Sequence, residues 1–168
     1  MLQRIQTIFL IIVALLIGSL FFANTPKFNI WSKYDEKTGN GVVLTSYTLQ
    51  KFHYDVQSKV ETPGESQMVI PLTLVLVLAF ALNAYTIFRY DNRVLQVKLG
   101  LLNSLILTGL LATMWYFMQK GEDMQTVPVT GALGLGFFVP AFSLLMNMMA
   151  NRFIRRDEKV VRDSDRIR

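Results

Sequence analysis

The chain of 168 residues has no cysteine and a single histidine. The lack of thiols excludes a disulfide, a thiolate metal site, a lipoprotein attachment and a cysteine nucleophile. A lone imidazole excludes a metal or haem site built from several histidines of this chain. Charge is also missing over long distances. Residues 5–26, 66–88, 99–119 and 124–151 contain no Asp, Glu, Lys or Arg, and all 17 basic and 12 acidic residues fall outside them. Ion carriers and proton pumps usually carry an ionisable group inside the bilayer, and this chain offers none there.

What is present points to the membrane. A helix crosses a bilayer with about 20 predominantly apolar residues, and each uncharged stretch reaches that length. The expected fold is therefore all-α and integral to the membrane, a bundle of four transmembrane helices forming one domain. The expected spans are about 5–25, 67–88, 99–119 and 128–150. Arg4 and the first apolar run have some features of a signal peptide. The run is longer than the usual h-region, and Phe21 and Phe22 precede its exit where a cleavage site needs small residues, so an uncleaved anchor is expected.

Lys and Arg in short flanking segments set topology. With the N-terminus inside, residues 1–4, 89–98 and 151–168 hold 1, 3 and 7 basic residues. The outer segments 27–65 and 120–123 hold 5 and 1. The split, 11 against 6, predicts cytoplasmic N- and C-termini in a bacterial inner membrane. The basic excess flanks spans and reads as an orientation signal, so nucleic acid is not an expected partner. Trp115, Tyr116, Phe21, Phe22, Tyr85 and Phe88 stand where aromatic belts form.

Residues 27–65 change character. Phe52, Tyr54 and Val56 alternate with polar neighbours, and residues 42–49 are rich in β-branched and aromatic types. Gly39-Asn40-Gly41 signals a turn, and Thr62-Pro63-Gly64 reads as a strand breaker. A small extracytoplasmic antiparallel β element between the first two helices is expected, with two or three strands over the helix ends. Trp31, Tyr34, Tyr47 and Tyr54 suit either a ligand site or a cap that fills its own core. His53 has no second ligand at metal spacing and reads as a surface strand residue.

Within the spans, Asn83, Asn103 and Asn147 accompany Ser104, Thr108, Thr113 and Ser143. They fit interhelical hydrogen bonding, worth about 0.6 kcal/mol on average, or a polar pocket. Gly131, Ala132, Gly134 and Gly136 would allow close helix packing, as would Gly109 and Thr113. The Gly131–Gly136 run has no following Lys-Ser or Lys-Thr and is not a nucleotide loop. Pro140 falls mid-span, where a kink is expected.

The tail, 151–168, carries Phe153, Ile154, Val160, Val161 and Ile167 at heptad spacing, which makes one helical stripe. Arg155 and Arg156 belong to its charged remainder. The pattern suits an anionic leaflet, a groove on a protein partner, or a plain continuation of the fourth helix. The 4 acidic residues among its charges tilt the reading to a protein partner.

The segments Met1-Leu2-Gln3-Arg4-Ile5-Gln6-Thr7 and Ala150-Asn151-Arg152-Phe153-Ile154-Arg155-Arg156-Asp157-Glu158-Lys159 resemble an uncharacterised four-span inner-membrane family of the Bacteroidota. That is the domain of unknown function 4293 family, and the resemblance covers the whole chain. It implies a compartment and a topology, but no activity, substrate or catalytic residue. The layout is also similar to the claudin-like tetraspan plan, an analogy of fold that warrants no function. The expected role is a non-enzymatic accessory or structural subunit of a larger inner-membrane complex, needing no cofactor. Small-residue helix faces, the outer loop and the basic tail would meet membrane lipids and protein partners. The alternative is a small transporter or a lipid- or small-molecule-binding protein.

Overall fold

A computed structural model describes residues 2–22, 29–36, 38–55, 60–89, 92–124 and 131–165; the side chains of 2–5, 60, 61 and 160–165 lie outside that description. Four helices form, α1 (Leu2–Phe21), α2 (Ile70–Phe88), α3 (Arg93–Asp123) and α4 (Leu135–Asp165). They pack as a ring in which α1 meets α2 and α4, and α3 meets α2 and α4. Five strands accompany them, β1 (Trp31–Tyr34), β2 (Asn40–Leu44), β3 (Thr48–Asp55), β4 (Val60–Met68) and β5 (Ala132–Leu133).

The expected class, an all-α bundle of four transmembrane helices, does not hold. The strands make one antiparallel sheet in the order β4-β3-β2-β1-β5, so the fold is mixed. Three helical segments have the length and hydropathy of a span: Ile70–Phe88, Arg93–Asp123 and Leu135–Lys159. Among the described residues α1 offers a shorter apolar segment, Gln6–Phe21. Counting uncharged residues overestimated the helices because two such stretches run into the sheet. The stretch 66–88 begins with the end of β4, and 124–151 contains β5.

The sheet is larger than expected because residues far apart in sequence build it. Beyond β1–β4, the segment preceding α4 adds β5, pairing Leu133 with Trp31 and Ala132 with Ser32. Thr62, Pro63 and Gly64 do not end a strand. They lie within β4, beside a register shift between Gln50 and Phe52. An edge strand tolerates proline because one side of its backbone has no ladder to complete. Gly39 opens β2 at a φ of 70°, which glycine adopts without steric cost.

The sheet caps the helices. Trp31, Val42, Leu44 and Leu49 form one core with Leu20, Val69, Phe117 and Met118 at the helix ends. The turn between β2 and β3 closes the C-terminus of α1, whose last carbonyls have no helical partner. Ser46 Oγ donates to Leu20 O at 2.7 Å and Tyr47 Oη to Phe21 O at 3.0 Å. The same turn holds α2, because Val69 N donates to Tyr47 O at 2.9 Å and Thr73 Oγ1 to Ser46 O at 3.0 Å. Burial pushes the Tyr47 phenol above its ordinary pKa.

Candidate functional site

The outer aromatic residues serve the cap. The Trp31 indole is fully buried. A Cβ on Gly131 would run into it, and one on Gly121 would come within 2.7 Å of its Cζ3. Glycine is needed at both places for this close approach. Tyr34 stacks on Phe52 with centroids 6.1 Å apart and meets Tyr54 edge-on at 6.3 Å. Phe52 in turn covers Gly41, where a side chain would clash with its ring. His53 Nδ1 lies 2.8 Å from Asn40 Oδ1 on the exposed surface. Among the described residues no group of three or more His, Asp or Glu could hold a metal ion.

The small residues at the start of the fourth helix have another use than helix packing. Gly131 and Ala132 precede α4, and Gly136 stands in its first turn. Gly134 N donates to Ile30 O and Gly136 N to Asn29 O, both at 2.9 Å. This run clamps the start of β1, and a Cβ on Gly134 would strike Asn29.

The bundle interior holds a polar seam between α3 and α4. Ser143, Asn147 and Asn151 succeed one another at four-residue spacing on a buried face of α4. Residues four apart on a helix lie one above the other. Asn147 Nδ2 donates to Gly100 O at 2.7 Å and to Ser104 Oγ at 2.9 Å on α3. Asn151 occupies the niche that Gly100 leaves, since a Cβ there would strike its amide. The three expected asparagines therefore differ. Asn147 ties α4 to α3. Asn83 ties α2 to α1, donating from Nδ2 to Leu10 O at 3.0 Å. Asn103 is 1% exposed, and neither amide atom meets a hydrogen-bond partner among the described residues.

Other atoms of the seam share that state. Ser143 Oγ, Asn147 Oδ1 and Asn151 Oδ1 are buried and unpartnered, and so is Asn83 Oδ1. In Asn83 and Asn147 the amide orientation follows from the nitrogen, which faces a backbone carbonyl. Their free atoms are therefore acceptors. A buried polar group without a partner costs about 1–3 kcal/mol. The seam thus gathers buried polar atoms whose binding capacity is unused among the described residues.

Two of the expected tail residues, Phe153 and Ile154, are engaged within the chain. Phe153 stacks on Phe9 of α1 at 5.4 Å, and Gln6 Nε2 donates to Phe153 O at 3.5 Å. Ile154 is fully buried. Asp157 lies 3.1 Å from Arg93 at the start of α3, close enough for an ion pair but off the line of a hydrogen bond. The described part of the stripe, Phe153 and Ile154, thus continues the buried face of α4, and Phe153 meets α1. Arg155 and Arg156 are exposed. The side chains of Val160 and Val161, and all of Ile167, lie outside the described residues. Sequence reasoning missed Gly100, Asn151, Arg93 and Asp157. The spacing Ser143-Asn147-Asn151 in an otherwise apolar helix was the available signal for the seam.

Among the described residues, neither the seam nor the cap presents a thiol nucleophile or a metal set. No curated protein matches the chain. The model of the domain of unknown function family DUF4293 matches residues 2–167, and the chain belongs to that family.

Proposed function

We propose that the protein is a non-enzymatic accessory subunit of a larger assembly in the bacterial inner membrane. In this reading the sheet faces outward. The end that carries Gln6, Arg93 and Phe153, with both termini, faces the cytoplasm. The observation that carries the subunit reading is β4. It spans nine residues, has a sheet neighbour on one side only, and exposes every side chain from Thr62 to Met68. A long exposed edge strand is a template for pairing with another chain. The apolar surface continues from Met68 through Ile70, Leu74 and Leu78 on α2, all more than half exposed. A membrane partner could follow both without a break. The other expected surfaces are less available, because Gly131 and Gly136 pack on β1 and Phe153 and Ile154 on the bundle.

Extraction in a mild detergent followed by sizing tests this. The wild-type chain is expected in a species much larger than its own 19.2 kDa plus micelle. S66K/Q67K, which places charge on the edge strand, should reduce it to the single chain. Recovery of the wild-type protein alone under the mildest extraction would end the subunit reading. Orientation is tested by single cysteines, since the chain has none. Ser66→Cys on β4 should react with an impermeant thiol reagent in intact cells, and Lys98→Cys should not.

A second reading, a small transporter or a binding protein for a lipid or small molecule, is favoured by the seam. Ser143 offers a hydroxyl and Asn147 an acceptor there, and Asn103 adds an unpartnered buried amide on α3. The Asn103 variant discussed below separates the two readings.

A further inference from the structure

We propose that the exposed face of α4 at the end opposite the sheet is a binding site for anionic phospholipid headgroups, with Arg152, Arg155, Arg156 and Lys159 as its ligands. The argument begins with how α4 sorts its charges. From Ala150 to Lys159, the exposed side chains are Arg152, Arg155, Arg156 and Lys159, and every one is basic. The acidic residues are turned away. Asp157 is buried against Arg93, and Glu158 is half-buried. The 4 acidic residues of 151–168 favour a protein partner, and two of them, Asp163 and Asp165, lie outside the described side chains. Among the described side chains, which end at Lys159, the outward face of this part of α4 is cationic.

The four cations stand at positions i, i+3, i+4 and i+7, so they form a single surface. That surface continues the lipid-facing side of the same helix. Leu145 lies two turns before Arg152, Met149 two turns before Arg156, and Met148 two turns before Arg155. All three apolar residues are exposed, as are Phe138 and Phe142 above them. The face thus changes from apolar to basic between Met149 and Arg152, with nothing from α1 or α3 covering it.

Depth agrees. A helix rises 1.5 Å per residue, so Arg152 and Arg156 lie about 26 and 32 Å along the axis from Leu135. A hydrocarbon core is about 30 Å thick. With Leu135 at one boundary, the cluster falls at the other, where lipid phosphates lie. Guanidinium groups bind phosphate oxygens with paired, charge-assisted hydrogen bonds, and Lys159 one turn deeper adds a point charge. The site follows from the charge distribution of α4 alone and does not depend on the subunit reading or on which compartment this end faces.

The test uses the full-length protein in nanodiscs of phosphatidylcholine containing a minor fraction of phosphatidylglycerol. Lipid retained on the protein is read by native mass spectrometry after gentle release. The wild-type chain should retain phosphatidylglycerol over phosphatidylcholine by about tenfold or more. R152Q/R155Q/R156Q/K159Q should lose that preference, while unchanged emission in a Trp115→Phe background, which isolates the buried Trp31, reports an intact fold. R152K/R155K/R156K should keep part of it. Equal enrichment on wild-type and quadruple-Gln protein would overturn the proposal and leave these charges as orientation signals. Competition by soluble glycerol phosphate at matched concentration would also overturn it, because the site would then take free phosphate rather than lipid. A purified acidic protein that binds wild-type but not variant protein in pure phosphatidylcholine, with no lipid preference present, would assign the face to a protein partner instead.

Discussion

Asn147 donates its amide hydrogen to the carbonyl oxygen of Gly100 across the α3–α4 interface at 2.7 Å. The contact needs glycine at 100, since a methyl group there would meet the Asn151 amide. Gly100→Ala should therefore separate the helices and destabilise the bundle by about 1–3 kcal/mol, the usual result of overpacking. Asn147→Leu loses two hydrogen bonds and should cost about 1–2 kcal/mol. Both are measured by unfolding in mixed micelles. A Gly100→Ala variant as stable as wild type would mean that the two helices are not in this register.

Asn103 should behave in the opposite way. It is as buried as Asn147, yet its amide makes no hydrogen bond among the described residues. Replacing an unpartnered polar group by an apolar one of similar shape removes a penalty of about 1–3 kcal/mol. Asn103→Leu should equal or exceed the wild type in stability. If a deletion phenotype is then complemented in full, the seam is structural and the subunit reading gains. If the stabilised variant fails to complement, the seam is the working site, because proteins retain locally unfavourable groups where function requires them.

At the opposite end, the glycines divide by what surrounds them. Gly134→Ala would drive a methyl group into Asn29 and break the contact of β1 with the start of α4. A loss of about 1–3 kcal/mol is expected, with a red shift of Trp31 emission read in a Trp115→Phe background. Gly109→Ala meets nothing within 4 Å, so the isolated chain should lose no stability. Since Gly109 is exposed on α3, disruption of a larger species by this variant would mark a partner helix there.

The three helices long and apolar enough to span a membrane were legible because charge cannot be hidden in hydrocarbon, and its absence over some 20 residues is a strong signal. The strand alternation at Phe52 and Tyr54 was equally plain, and both residues lie in β3. The errors share one cause. β5, Pro63 within β4 and the clamp of Gly134 on Ile30 all depend on pairing between distant segments, which local composition does not encode. The tail stripe shows the same limit. Heptad spacing joins Phe153 and Ile154 to Val160, Val161 and Ile167, but only the placement of Phe9 reveals that the chain itself covers Phe153. Asn103 and Asn147 look alike in sequence and differ only in what stands opposite them.

Alkaline pH should act through Tyr47. Its hydroxyl donates to Phe21 O at the end of α1, and burial raises its pKa above the ordinary value near 10. The folded state then holds this proton more tightly than the unfolded state. Stability from this group is fully present below about pH 10 and falls as pH rises through the raised folded-state value, because the unfolded chain loses the proton first. Tyr47→Phe should cost about 1 kcal/mol at neutral pH by deleting the cap bond. It should also flatten the alkaline limb of the stability profile. Denaturant unfolding from neutral to alkaline pH, run on both proteins in the same detergent, measures the two slopes. Parallel slopes would mean that Tyr47 ionises as freely in the fold as in the unfolded chain, and that the turn over α1 is open to water.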